Sequence, residues 1–325
     1  MPVEPTASDG RPTPPSVAVP KTPSAGERPG RGSAGVSDAA LSGALADVVT
    51  ARVEAAVGRS RRPLDAAALS PLAAGLGLAL AVVDEIDSTN AELGRLARGL
   101  PGSVPALSVT ARTGQAVLVA ERQTAGRGRL DRSWQSADGA GLMVSVLVRP
   151  AVEARQLGWL PLVVGTSLVR TLRAHAGVPA VLKWPNDVQV DGAKIAGILV
   201  ELAPSPTAPP AAVIGFGLNV TARAGELPPN STSLLLLDVD PSRLDRTELL
   251  GAVLTDLADA VSRWVSAPGQ ARDDYRGVCA TLGRPVRVEL PDGTSVVGIA
   301  TDVDEFGRLL VDGRAFSAAD VVHLR

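Results

Sequence analysis

Three arginines fall within six positions in the stretch Gln123-Thr-Ala-Gly126-Arg127-Gly128-Arg129-Leu-Asp-Arg132-Ser-Trp134. Like charges packed so closely repel one another, and a loop that keeps them usually has an anion to bind. Guanidinium forks match carboxylate and phosphate oxygens two at a time. The glycines let the backbone bend closely around a ligand. No Gly-Lys-Ser/Thr follows, so this is not a P-loop, and the spacing fails the dinucleotide fingerprint here and at Gly215. A solvated loop in an arginine-rich chain would look the same, so the cluster needs company.

The company comes from lysine. Of 32 basic residues only Lys21, Lys183 and Lys194 are lysines. Two of them flank one short region, Lys183-Trp184-Pro185-Asn186-Asp187, an Asp191-Gly192 turn, then Lys194-Ile-Ala-Gly197-Ile-Leu-Val-Glu201. A compact ammonium is the alternative to a planar fork for holding a carboxylate or phosphate oxygen. Trp184-Pro185 offers a rigid apolar wall, or is ordinary core. Ser88-Thr89-Asn90 reads as a helix cap or as hydroxyls and amides aimed at a small polar ring.

Apolar patterning supplies the elements that must hold these groups. Strands are expected at 79–84, 116–121, 142–149 and 213–220, and helices from Ser88 to Ala97, over 154–176 and from Asp245 to Val265. Residues 181–202 read as a two-armed hairpin about Asp191-Gly192, one lysine on each arm. After Gly283, strands at 285–290, 296–302 and 309–311 are separated by Pro291-Asp-Gly293 and Asp312-Gly313. That describes a small SH3-like β unit, marginal alone. The class is α+β.

Among 325 residues a net charge of -2 argues against a strongly basic polymer binder. A single cysteine, Cys279, excludes intramolecular disulfides. Two histidines, His175 and His323, make a multi-histidine metal centre improbable, although Mg²⁺ carried in by a phosphate ligand needs neither type. Residues 1–60 are expected to be a disordered or weakly helical extension, too short for a helix-turn-helix module. The start lacks a secretory pattern, and the longest apolar run is shorter than the roughly 20 residues of a membrane span. A cytoplasmic protein with no membrane or DNA partner is expected.

Taken together, these stretches resemble the biotin–protein ligases. Members carry a Ser-Thr-Asn, a Gln-x-x-Gly-Arg-Gly-Arg loop, a Lys-Trp-Pro-Asn-Asp run leading into Lys-x-Ala-Gly-Ile-Leu-x-Glu, and a Gly-x-Gly-x-Asn strand, here Gly215 to Asn219. All occur here in that order. The resemblance implies a monofunctional ligase lacking the DNA-binding domain. Its catalytic domain, 61–280, would be a mixed sheet packed with helices, like class II aminoacyl-tRNA synthetases, with an SH3-like β-barrel at 281–325. Such an enzyme activates biotin with Mg·ATP to biotinyl-5′-AMP and transfers it to a lysine of the biotin carboxyl carrier domain of an acyl-CoA carboxylase. Residue by residue, it implies Ser88, Thr89, Asn90, Gln123, Gly126, Arg127, Gly128, Arg129 and Lys194 at biotin. It implies Arg129, Arg132, Trp134, Lys183, Asn186 and Asn219 at the nucleotide, with Lys194, Arg127 and Arg129 catalytic. Mg²⁺ would ride on the ATP phosphates with no direct protein ligand. The chain departs from the pattern at Asp131, where many members have a second loop glycine. It also lacks the tryptophan that some members place after the Gly-x-Gly-x-Asn strand. Lipoate or octanoate ligases and transferases share the catalytic fold and are the alternative.

Overall fold

The structure is a computed structural model. It describes residue 58 and residues 61–130, 132–203, 211–290, 292–317 and 319–324. The extension expected at 1–60 lies almost wholly outside the described residues, as does Asp131.

Asp65 caps α1 (Ala66–Gly75) by accepting from Ala68 N at 2.9 Å. Strand β1 (Leu78–Ile86) follows, then Ser88 caps α2 (Thr89–Ala97). Next come β2 (Gln115–Gln123) and β3 (Gly141–Val148). The long helix expected over 154–176 is a rod in three parts. A 3₁₀ segment, Ala154–Trp159, leads into α3 (Leu160–Thr171), which ends in a wide π turn, Leu172–Ala176. Pro161, in the first turn of α3, has no N–H and cannot continue an α ladder backwards, and Gly177 at φ 70° closes the rod.

The expected hairpin is corrected to three strands: β4 (Val181–Lys183), β5 (Asp187–Val190) and β6 (Ala193–Ala203). Asp191 and Gly192 both have positive φ, 49° and 82°, the type I′ signature, but they join only β5 and β6. Pro185 lacks a ladder donor, and the chain reverses once more between β4 and β5, which pair antiparallel. The two lysines therefore lie on β4 and β6 with β5 between them. After β7 (Ala211–Asn219) come α4 (Arg246–Ser266), capped by Asp245, and α5 (Pro268–Arg276).

The main sheet runs β1-β2-β3-β7-β6-β5-β4, with only β1 and β2 parallel. It is buried on both faces. Val117, Val144 and Ile214 join α3 and α4 in one core, and Leu118, Leu147 and Val213 join Leu93 and Leu96 of α2 in another. That explains why β3 and β7 are buried end to end and read as nearly continuous apolar runs.

The C-terminal unit is a five-stranded antiparallel sheet of β8 (Pro285–Glu289), β9 (Ser295–Val303), β10 (Leu309–Val311), β11 (Arg314–Phe316) and β12 (Asp320–His323). Its order is β11-β10-β9-β8-β12. It shares a continuous apolar core with the main body. Trp184 and Trp159 donate across the join to Gly307 O and Asp304 O, at 3.2 and 3.0 Å.

His323 sits at that join. Its Nε2 lies 3.0 Å from Thr281 Oγ1, which also accepts from Trp184 N. Burial, with Lys183 and Arg284 nearby, pushes the imidazole pKa down from 6.5 to about 4. Between those values the unfolded chain binds a proton that the folded chain refuses, so stability falls as pH drops through that window. The wild-type melting temperature should fall between pH 7.5 and 5, and His323→Gln should remove part of that fall. Equal falls in both proteins, followed by circular dichroism, would clear His323 of the effect.

Candidate active site

Gly197 of β6 and Gly217 of β7 are register partners in adjacent strands. Together they leave a patch of bare backbone in the middle of the sheet. The Trp134 indole lies on it: a Cβ at Gly217 would come 2.1 Å from Trp134 Cε2, and one at Gly197 would come 3.1 Å from Cζ3. Two residues back, a Cβ at Gly215 would meet Asn90 Oδ1 at 2.3 Å. The Gly-x-Gly spacing thus admits an asparagine at one position and an aromatic ring at the next on the same face. A cavity of about 270 Å³ opens over this floor, just under the usual range for a small-molecule site.

One end of the cavity is polar and uncharged. Thr89 donates to Gln123 Oε1 from both its N–H, at 2.8 Å, and its hydroxyl, at 3.1 Å. The Ser145 hydroxyl lies 2.7 Å from both Thr89 Oγ1 and Asn90 Oδ1. The Asn90 amide donates to Glu201 Oε2 at 2.9 Å. Cap geometry at α2 fixes Thr89 and Asn90, and β2, β3 and β6 supply Gln123, Ser145 and Glu201.

The other end is cationic. The Gly/Arg stretch folds back on itself: Trp134 N donates to Gly126 O at 2.9 Å and Gly128 N to Arg132 O at 2.7 Å. Arg127 lies beside the ring pocket, paired at 3.0 Å with the Glu201 carboxylate that also holds Asn90, and at the cationic end Arg132 pairs with Asp320 of β12. Arg129 reaches Asn186 Oδ1 at 3.2 Å and Ala319 O at 3.4 Å. Burial draws its pKa below the usual guanidinium range, opposed by Asp320 and Asp187 nearby. Lys194 Nζ lies 2.7 Å from Asp187 Oδ1 and 5.7 Å from the centre of the Trp134 ring. Lys183 lines the same wall. Among the described residues, neither Arg129 nor Lys183 has a carboxylate within ion-pair distance. An incoming anion would therefore find these two without competing for them.

Twelve of the residues singled out in the sequence line this one cavity: Ser88, Thr89, Asn90, Gln123, Arg127, Gly128, Arg129, Arg132, Trp134, Lys183, Asn186 and Lys194. Gly126 and Asn219 do not. A Cβ at Gly126 would meet Trp134 O at 2.3 Å, so that glycine closes the loop. Asn219 is buried and its amide donates to Thr232 O at 3.0 Å. The same segment pairs with the Lys194 backbone through Asn230 O and Thr232 N, both at 2.8 Å, so Asn219 braces Lys194 from behind. Sequence reading had Asp187 and Glu201 inside its motifs without a role for either, and it missed Ser145 and the C-terminal pair Glu289 and Asp320. Ser145 carried a signal, being the one polar residue inside the apolar run of β3.

A polar ring pocket running into a compensated cluster of cations suits a neutral ring with a carboxylate tail, laid against phosphates. Comparison with known proteins agrees. Residues 106–219 match the biotin/lipoate A/B protein ligase family, and residues 281–324 match the biotin protein ligase C terminal domain. A biotin–[acetyl-CoA-carboxylase] ligase of Mycobacterium tuberculosis is 42% identical over 82% of this chain and 98% of its own length. One from Paracoccus denitrificans is 33% identical over 70% and 92%. Among solved structures, the Aquifex aeolicus biotin protein ligase in complex with biotin and ATP superposes with a TM-score of 0.59. It is 28% identical and covers 76% of this chain and 99% of that one.

Proposed function

This chain belongs to the biotin–protein ligases, and from that premise we propose that it joins biotin to a carrier lysine in two steps at the cavity described. The single observation that carries the reading is convergence. Arg129 from the loop after β2, Lys183 from β4 and Lys194 from β6 meet at one end of a cavity whose other end is the Thr89–Asn90–Gln123 pocket.

In the first step a biotin carboxylate oxygen attacks the α-phosphorus of ATP. The bond from that phosphorus to the pyrophosphate oxygen breaks, leaving biotinyl-5′-AMP and pyrophosphate. Two anions must meet, and Lys194 and Arg129 offset their repulsion in a site partly closed to water, where such contacts count for most. The ring end, held by Thr89, Asn90 and Gln123, fixes which end of the acid faces the phosphorus. In the second step the ε-amine of the acceptor lysine attacks the acyl carbon. The carbon–oxygen bond to AMP breaks, AMP leaves, and the amine gives up a proton as the amide forms. Keeping water from the mixed anhydride between the steps falls to the Gly/Arg loop that roofs it. Mg²⁺ entering on the ATP phosphates would neutralise part of their charge, and among the described residues no group of three carboxylates, histidines or cysteines gathers to hold a metal directly.

The acceptor is a biotin carboxyl carrier domain of an acyl-CoA carboxylase, met in the cytoplasm. Among the described residues no helix is long and apolar enough to cross a membrane. Biotin is favoured over lipoate by the match of residues 281–324 to the biotin protein ligase C terminal domain. Incubating the full chain with biotin, Mg·ATP and a carrier domain should add one biotinyl group to the carrier, read as intact mass. No addition with biotin, or equal addition with lipoate, would overturn the assignment.

A further inference from the structure

We propose that Glu201 is a positioning residue, one that couples the ring pocket to the arginine loop and sets the orientation in which the acid binds. The inference rests on the two-step reading above. Glu201 lies near the end of β6, opposite Val213 of β7, and does not itself line the cavity. It acts through two residues that do. Its Oε2 accepts from Asn90 Nδ2 at 2.9 Å and its Oε1 lies 3.0 Å from Arg127 Nη1. One carboxylate therefore ties the start of α2 to the start of the Gly/Arg loop.

Two consequences follow from charge and geometry. Asn90 is 5% exposed, and its amide has Ser145 on one side and Glu201 on the other, so its orientation is fixed from both ends. The Arg127 side chain is half exposed, at 51%. Without the carboxylate it is a long, free cation at the mouth of the ring pocket. With it, the ring end of the cavity carries no net charge, and among the described residues the lining cations without a carboxylate are Arg129 and Lys183 at the far end. A molecule with a neutral ring and an anionic tail is then drawn in one way round: ring to Thr89 and Gln123, carboxylate to Lys194 and Arg129. Loss of the Glu201 charge lets Arg127 compete for the same carboxylate, while the Asn90 amide keeps Ser145 and its second acceptor, Leu199 O at 3.3 Å.

The test is biotin-dependent ATP–pyrophosphate exchange. Glu201→Gln keeps size and an acceptor for Asn90 but removes the charge that holds Arg127. It should raise KM for biotin about tenfold, with kcat at saturating biotin and KM for ATP each within about twofold of wild type. Arg127→Met approaches the same contact from the other partner and should raise KM for biotin similarly. The double variant should be no worse than Arg127→Met alone, because both changes remove one shared interaction. An unchanged KM for biotin in Glu201→Gln would overturn the proposal. So would effects that add in the double variant, or a fall in kcat that merely tracks a fall in melting temperature. Wild-type protein that shows no biotin-dependent exchange would instead overturn the functional reading itself, so the two failures look different.

Discussion

Lys194→Ala is expected to slow biotin-dependent ATP–pyrophosphate exchange by two to three orders of magnitude while the protein stays folded. On the proposed reading the ammonium is one of few groups placed where a carboxylate and a phosphate must approach, and removing one such positioned donor typically costs about 10²–10³ in rate. The loss should fall on kcat, because the repulsion that Lys194 offsets grows as the oxygen nears phosphorus. A second effect has the same sign. Asp187, now 2.7 Å from Nζ, would face the incoming anions without its cation. Stability should change little, since the two side chains are 32% and 24% exposed and an ion pair of that kind is worth about 0–1 kcal/mol. Lys194→Arg should rescue poorly, because a planar fork cannot replace a compact charge beside the indole of Trp134. Exchange within threefold of wild type in Lys194→Ala would remove the residue from the first step. A melt by circular dichroism separates that outcome from unfolding.

How far the sequence could be read follows from the range of each signal. The arginine loop and the two lysines were legible because their chemistry is local: charge density and residue type need no partner to be noticed. The type I′ turn at Asp191-Gly192 was legible for the same reason, and so were the cap at Ser88 and the helix start at Asp245. The order of the strands was not. Nothing in the periodicity of β7 says that it lies between β3 and β6, yet that neighbourhood pairs Gly197 with Gly217 and makes the floor. Strands β11 and β12 span only Arg314–Phe316 and Asp320–His323, too few residues for alternation to show. Helices α1 and α5 went unread, the first holding Pro71 and the second opening on Pro268-Gly269, both signals that usually end helices. The pairing of the counter-ions was unreadable for a further reason. Glu201, Asp187 and Asp320 matter through which cation each faces, and that is settled by packing between segments as far apart as Arg132 and Asp320. Asn219 shows the converse, a motif residue whose side chain turns away from the cavity and braces the chain behind it.

The floor itself yields the other large effect. Gly217→Ala should raise KM for biotin by between tenfold and a hundredfold and leave the melting temperature unchanged or slightly higher. A methyl there would lie 2.1, 2.4 and 2.5 Å from Trp134 Cε2, Nε1 and Cζ2, so one side must yield. Strand β7 is hydrogen-bonded to β3 on one side and β6 on the other along its whole length, which leaves the indole to move. Its Nε1 is buried and has no hydrogen-bond partner among the described residues, so no hydrogen bond of the ring resists the shift. Once displaced it intrudes on the cavity. It also shifts the platform under Lys194 and pulls on the loop, since Trp134 N is bonded to Gly126 O. Overpacking of this kind typically costs about 1–3 kcal/mol, which here would be charged mainly to binding. The backbone gains in the opposite direction, because alanine in a strand interior is favoured over glycine by about 0.5–1 kcal/mol. Opposed movements of affinity and stability are the signature, and general damage to the fold would lower both. Gly197→Ala grades the effect. Its methyl would meet Lys194 Nζ at 3.0 Å and Trp134 Cζ3 at 3.1 Å, contacts that a few tenths of an ångström relieve, so its KM should rise less. A Gly217→Ala protein that binds biotin as wild type does, by calorimetry, would mean that the bare backbone between β6 and β7 is not where the ring end of the ligand rests.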